Sequence, residues 1–139
     1  MGKYRKVSDC ESWATVNAED TKRIIAVLDD DIAVRESLEF SLELEGFTIR
    51  IAASAEELDE HVRREKFDCL IVDYHLPGTN GLDVLAALRD KSIAPPAILI
   101  TGNPNDHIRK RAAADGAVLI EKPFAIDALV RQIHVLLDQ

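Results

Sequence analysis

The run CLIVDYHLPGTNGLDVL, residues 69–85, decides how this chain is read. Cys69 to Val72 form an apolar stretch too short and too continuous for an amphipathic helix, and they fit a strand buried on both faces. Asp73 closes that stretch. Pro77-Gly78 and Asn80-Gly81 then supply turn chemistry that shapes the following loop and positions the edge, with no direct part in a reaction.

Outward from this run the same alternation recurs. Ile24 to Leu28, Thr48 to Ala52, Ala97 to Ile100 and Val118 to Ile120 are further short apolar strands. Between them lie segments with apolar residues at three- and four-residue spacing: Ala33 to Glu45 aligns Val34, Leu38 and Leu42, and Ile126 to Leu137 aligns Leu129, Val130, Ile133 and Leu137. Gly46 follows the first helix as a C-cap, Ser54 caps Ala55 to Glu65 with Glu57 three residues on, and Pro104 opens the fourth helix. Five strand-helix pairs in little more than a hundred residues predict an α/β fold, a five-stranded parallel sheet with helices on both faces. The functional crevice of such a sheet lies beyond the carboxyl ends of the strands, where strand order reverses.

Composition fits one globular domain: 139 residues, 47% hydrophobic and 30% charged. Residues 1 to 23 hold five basic and four acidic residues and few apolar ones, so they read as a flexible N-terminal extension in which Trp13 and Val16 are available for docking. Residues 24–139 are then the folded domain. No apolar run approaches the roughly 20 residues of a membrane span and no signal peptide opens the chain, which points to the cytoplasm and away from a membrane. Cys10 and Cys69 make no disulfide framework, and Cys69 reads as a buried strand residue. A formal charge of -8 disfavours direct nucleic-acid binding.

Polar groups gather at the predicted strand ends: Asp29-Asp30-Asp31, Asp73, Thr101-Gly102 and Glu121-Lys122-Pro123. Converging carboxylates would repel unless a divalent cation let them all stay ionised. Oxygen donors without a His-Cys cluster favour Mg2+ or Mn2+ over zinc. Lys122, the Thr101 hydroxyl and the Gly102 amide then suit a three-oxygen anion around Asp73.

The segments IIAVLDDDIAVRESL, CLIVDYHLPGTNGLDVL, AILITG and GAVLIEKPF resemble the signature segments of response-regulator receivers in two-component signalling, over residues 24 to 138. The order is specific: an acidic pair, an Asp 43 residues later, a Thr 28 further and a Lys-Pro 21 further. The resemblance implies a (βα)5 flavodoxin-like receiver fold. It also implies that Asp73 accepts a phosphoryl group and that Asp30, Asp73 and the backbone carbonyl of His75 ligate the metal directly. Asp29 would hold the metal largely through water. Thr101 and Lys122 would contact the phosphoryl group, and the Lys122-Pro123 bond would be cis. The protein would not be an enzyme beyond its own phosphorylation and slow autodephosphorylation. Its partners would be a histidine kinase or histidine phosphotransfer protein and a downstream target, or a second copy, engaged through the fourth helix, fifth strand and fifth helix.

Blander readings hold elsewhere. Asp31 fits a helix cap better than catalysis, and His61, His107 and His134 fit surface or half-buried packing. His75, two residues past Asp73, is placed to influence attack by water on the acyl phosphate. Arg109-Lys110-Arg111 is adequately a solvated helix face, though a docking patch for an acidic partner is an alternative. Leu119 departs from the family, which usually has Tyr or Phe there as a rotating switch, so the aromatic half of the usual coupling to the output face is absent. With the sequence ending at Gln139, a stand-alone receiver is the first hypothesis. The receiver part of a longer transcriptional regulator and a phosphorylation-independent binding module are alternatives. An aspartyl-phosphate phosphatase ranks low because His75 stands where such enzymes need a second carboxylate.

Overall fold

A computed structural model describes residues 22–138, so the expectation for the N-terminal extension falls outside the described residues except at Lys22 and Arg23. Five strands, β1 (Ile24–Leu28), β2 (Thr48–Ala52), β3 (Cys69–Asp73), β4 (Ala97–Thr101) and β5 (Val118–Glu121), alternate with five helices. The helices are α1 (Ile32–Leu44), α2 (Ala55–Arg64), α3 (Gly81–Asp90), α4 (Asp106–Ala114) and α5 (Ile126–Leu137). The strands are parallel in the order β2-β1-β3-β4-β5. A small antiparallel hairpin, His75–Leu76 with Thr79–Asn80, turns at Pro77-Gly78 between β3 and α3. Gly78 has φ +76°, the positive value that favours glycine at such a turn.

Alternation of side chains along the strands builds a core on each face of the sheet. Ile25, Val27, Cys69, Ile71, Ile98 and Ile100 face α1 and α5, meeting Leu38, Leu42, Leu129 and Ile133. Ala26, Leu28, Leu70, Val72 and Ala97 face α2 and α3, meeting Leu58, Val84, Leu85 and Leu88. Leu99 packs with Leu82 of α3 and Ile108 and Ala112 of α4. Every residue of β3 and β4 is buried, which explains their continuous apolar sequence. Burial also pushes the Cys69 thiol up to about 12, so it is inert packing.

The helix ends follow local chemistry. Asp31 accepts from the Ala33 and Val34 amides at the start of α1. Ser54 accepts from the Glu57 amide, and Glu57 reaches back to the Ala53 amide rather than to the cap residue itself. Gly46, φ +99°, lies one residue past the cap Glu45; its amide bonds to the Glu43 carbonyl and that of Phe47 to the Leu42 carbonyl. Pro104 is corrected: it precedes the helix, since Asn105 caps α4 by accepting from the Ile108 amide and the first helical residue is Asp106. The cap side chain needs extended backbone, which moves the start of the helix past the proline.

Candidate functional site

Strand order reverses between β1 and β3, and the carboxyl ends of those strands carry the acidic groups. Carboxylate oxygens of Asp29, Asp30 and Asp73 all lie within 4.8 Å of one another. Asp29 and Asp73 are buried, whereas Asp30 is exposed at the rim. Asp29 Oδ1 accepts from the Asp31 amide at 2.9 Å, and Asp73 Oδ1 accepts from the His75 amide at 3.3 Å. Backbone donors thus orient both buried carboxylates.

Lys122, just past β5, reaches across the strand ends. Its Nζ lies 3.3 Å from Asp73 Oδ2 and 3.9 Å from Asp29 Oδ2. The Lys122 amide donates to the Thr101 carbonyl, and the Lys122-Pro123 peptide is cis, as expected. Thr101 is fully buried, and its Oγ1 accepts from the Asn103 amide at 3.2 Å, which leaves the hydroxyl proton to donate.

Charge balance in this cluster is incomplete. Desolvation raises the Asp29 carboxyl to about 6; the Asp31 amide and Lys122 oppose the shift, and Asp73 and Asp30 add to it. Three carboxylates against one ammonium leave an excess of negative charge that a hard cation would neutralise. The all-oxygen donor set fits Mg2+.

Three contributors carried no readable signal in the sequence. Arg35, on the first turn of α1, donates from Nη1 to the Asp29 carbonyl at 2.8 Å and ties that helix to the acidic loop. The Asn103 amide on Thr101 depends on the bend after β4. Gly81 is more than the turn residue expected of it: it is the first residue of α3 behind the cap Asn80. A Cβ there would lie 2.6 Å from the Asp73 carbonyl oxygen, 2.8 Å from Leu99 Cδ1 and 2.9 Å from Val72 Cγ1.

The remaining side chains make other contacts. His61 is half-buried with Nε2 2.9 Å from the Ile51 carbonyl, His107 is exposed, and the His134 ring lies 5.6 Å from Phe47. The exposed His75 ring packs edge-on to Tyr74 at 5.0 Å. In the basic run, Arg111 pairs with Asp83 at 2.7 Å and Arg109 approaches Glu121 at 3.9 Å, so much of that charge is matched internally. Leu119 is half-buried against the cluster of Leu82, Leu99 and Ile108, which Tyr74 also joins.

A parallel five-stranded sheet with an aspartate triad and a lysine at its switch point defines a class of phosphoacceptor signalling domain. Residues 25–134 match the model of the response regulator receiver domain, and the chain belongs to that family. It is 37% identical over 118 residues to the response regulator MprA of Mycobacterium leprae, covering 83% of this chain and 50% of that protein. It is 32% identical over 120 residues to the transcriptional regulatory protein FixJ of Bradyrhizobium diazoefficiens, covering 86% of this chain and 58% of FixJ. The chain therefore spans about half the length of these curated relatives. Among solved structures, FixJ-N has a TM-score of 0.77 at 29% identity, over 86% of this chain and 96% of that one. A CheY-like receiver from Methanospirillum hungatei has 0.79 at 28%, over 85% and 95%. Phosphorylation and Mg2+ binding are general to the family, whose receivers interact with histidine kinases and downstream effectors. Among the described residues, no helix is long and apolar enough to cross a membrane.

Proposed function

We propose that this chain is a phosphoacceptor receiver that takes a phosphoryl group onto Asp73 from a histidine kinase or histidine phosphotransfer protein and signals by protein-protein contact in the cytoplasm. The observation that carries the reading is the convergence of Asp29, Asp30 and Asp73 within 4.8 Å with Lys122 beside the two buried carboxylates.

Asp29, Asp30, Asp73 and the His75 carbonyl would hold Mg2+ or Mn2+, which when bound supplies positive charge to the transferring oxygens. An Asp73 oxygen attacks phosphorus in line as the phosphorus-nitrogen bond of the donor histidine breaks, and the imidazole leaves with the electron pair. Lys122 offsets charge on the equatorial oxygens, and the Thr101 hydroxyl donates to one of them. Attack by water on the acyl phosphate returns inorganic phosphate and the carboxylate, so the protein resets without acting as an enzyme on another substrate.

The output face we assign is α4, β5 and α5, toward a protein target or a second copy. With Leu119 in place of an aromatic ring, a Thr101 shift would be passed on by aliphatic packing against Ile108 and Leu82. A second reading, the receiver portion of a longer transcriptional regulator, is favoured by the half-length match to MprA and to FixJ.

Intact mass after incubation with acetyl phosphate and Mg2+ tests the central step. One phosphoryl adduct, dependent on Mg2+ and absent in Asp73→Asn, is expected; an adduct that persists in that variant would move the acceptor elsewhere.

A further inference from the structure

Of the three carboxylates at the strand ends, Asp30 is the one whose side chain nothing holds. Asp29 is pinned on two sides: its amide donates to the Ala52 carbonyl at 3.2 Å, and its Oδ1 accepts from the Asp31 amide at 2.9 Å. Asp73 ends a buried strand, and its Oδ1 accepts from the His75 amide at 3.3 Å. Asp30 is exposed, and its carboxylate has no hydrogen-bond or ion-pair partner among the described residues. It nevertheless lies within 4.8 Å of the other two.

The peptide unit before Asp30 supplies the missing constraint. The Asp29 carbonyl belongs to the planar Asp29-Asp30 peptide, so holding that oxygen fixes the plane from which the Asp30 Cα and its side chain project. Arg35 holds it, donating from Nη1 at 2.8 Å. The placement of this arginine runs against local electrostatics. A cation in the first turn of a helix opposes the macrodipole, and α1 has no acidic residue there to compensate. Although its acceptor belongs to one member of the acidic cluster, the guanidinium forms no ion pair among the described residues. A cation set at the unfavourable helix end and spent on a backbone oxygen serves geometry rather than charge neutralisation.

We propose that Arg35 is a positioning residue for the cation site: through the Asp29 carbonyl it keeps the Asp30 carboxylate beside those of Asp29 and Asp73. The inference rests on the phosphoacceptor reading and extends it to a residue that touches neither the cation nor the phosphoryl group.

Charge and geometry give opposite signs, which makes the test decisive. Arg35→Met keeps a long apolar stem and removes both the donor and the positive charge. Were charge its whole effect, losing a cation near the site would tighten Mg2+ binding. Acting by position, its loss frees the Asp29-Asp30 peptide, and the Mg2+ dissociation constant from titration calorimetry at pH 7.5 is expected to rise about tenfold. Arg35→Lys, which keeps the charge and one donor on a flexible stem, should fall between parent and Arg35→Met. With acetyl phosphate, the Mg2+ concentration for half-maximal adduct formation on Asp73 should rise by the same factor. Far-ultraviolet circular dichroism checks the fold of each variant, and Arg35→Gln carries the same expectation should Arg35→Met fail to fold. Unchanged or tighter Mg2+ binding in the folded variant overturns the proposal, while a Mg2+-dependent adduct in the parent leaves the phosphoacceptor reading standing. A parent that binds no Mg2+ overturns both.

Discussion

Gly81→Ala separates two opposite expectations. In an ordinary helix position, replacing Gly by Ala stabilises by roughly 0.5–1 kcal/mol, because the unfolded chain loses freedom and Ala favours the helix. At Gly81 the added carbon would sit 2.6 Å from the Asp73 carbonyl oxygen and under 3.0 Å from Val72 and Leu99, where ordinary contact begins near 3.4 Å. These neighbours cannot yield cheaply: Asp73 ends a strand in which every residue is buried, and Leu99 lies in the buried strand beside it. Overpacking of this kind costs about 1–3 kcal/mol, so against that gain the net effect is a loss of up to about 2.5 kcal/mol and a melting point lower by up to roughly 10 °C. Thermal unfolding without Mg2+ gives the stability change, and the rate of adduct formation with acetyl phosphate reports whether the acceptor carboxylate has moved. Both should fall together. A Gly81→Ala protein more stable than the parent would refute the close approach as the reason for glycine here.

Asp29 gives a pH signature whose sign follows from its raised value of about 6 against 3.8 for an unperturbed carboxyl. The folded state binds that proton more tightly than the unfolded one, so this group's stabilising contribution is complete below about pH 4 and is lost as pH rises through 6, by roughly 3 kcal/mol at most. Without Mg2+, Asp29→Asn should therefore be more stable than the parent at pH 7.5, with the gap closing toward pH 4; a gap independent of pH would contradict this. Because the proton competes with the cation, Mg2+ affinity should fall as pH drops below 6, measurable by titration calorimetry. Asp31→Ala should lose about 1 kcal/mol of stability as an N-cap is removed, with the Asp73 adduct still forming; loss of the adduct in a stably folded variant would make Asp31 part of the site. Ser92 holds φ +64° just past the α3 cap Lys91, with its amide on the Arg89 carbonyl and that of Ile93 on the Leu88 carbonyl. Ser92→Gly should raise stability by about 0.5–1 kcal/mol in denaturant unfolding, because glycine meets no side-chain penalty in that conformation.

Strand and helix identity, the parallel fold and the polar ends of the strands were legible in the amino-acid sequence, since each rests on local pattern. A four- or five-residue apolar run such as Cys69 to Val72 has one economical destination, and a carboxylate at its end is exposed to chemistry by the same geometry. Spacing between Asp30, Asp73, Thr101 and Lys122 was enough to single out the family. Asp31 as a cap was equally readable, because its oxygen serves amides two and three residues away.

What depended on distant contacts was not legible. Asn105 rather than Pro104 sets the start of α4, because a cap hydrogen bond to the Ile108 amide competes with the intrinsic preference of proline. Arg35 has several rotamers open to it, and only the path of the Asp29 loop selects the one that reaches its carbonyl. Gly81 looked like turn chemistry, yet the register of β3 against β4 and the seating of α3 over both bring the Asp73 carbonyl against it. The sequence by itself determined which residues could gather at the switch point, because periodicity and strand-end placement are short-range properties. The tertiary structure alone decided how close they come and what holds them there, because those distances are set by packing between segments tens of residues apart.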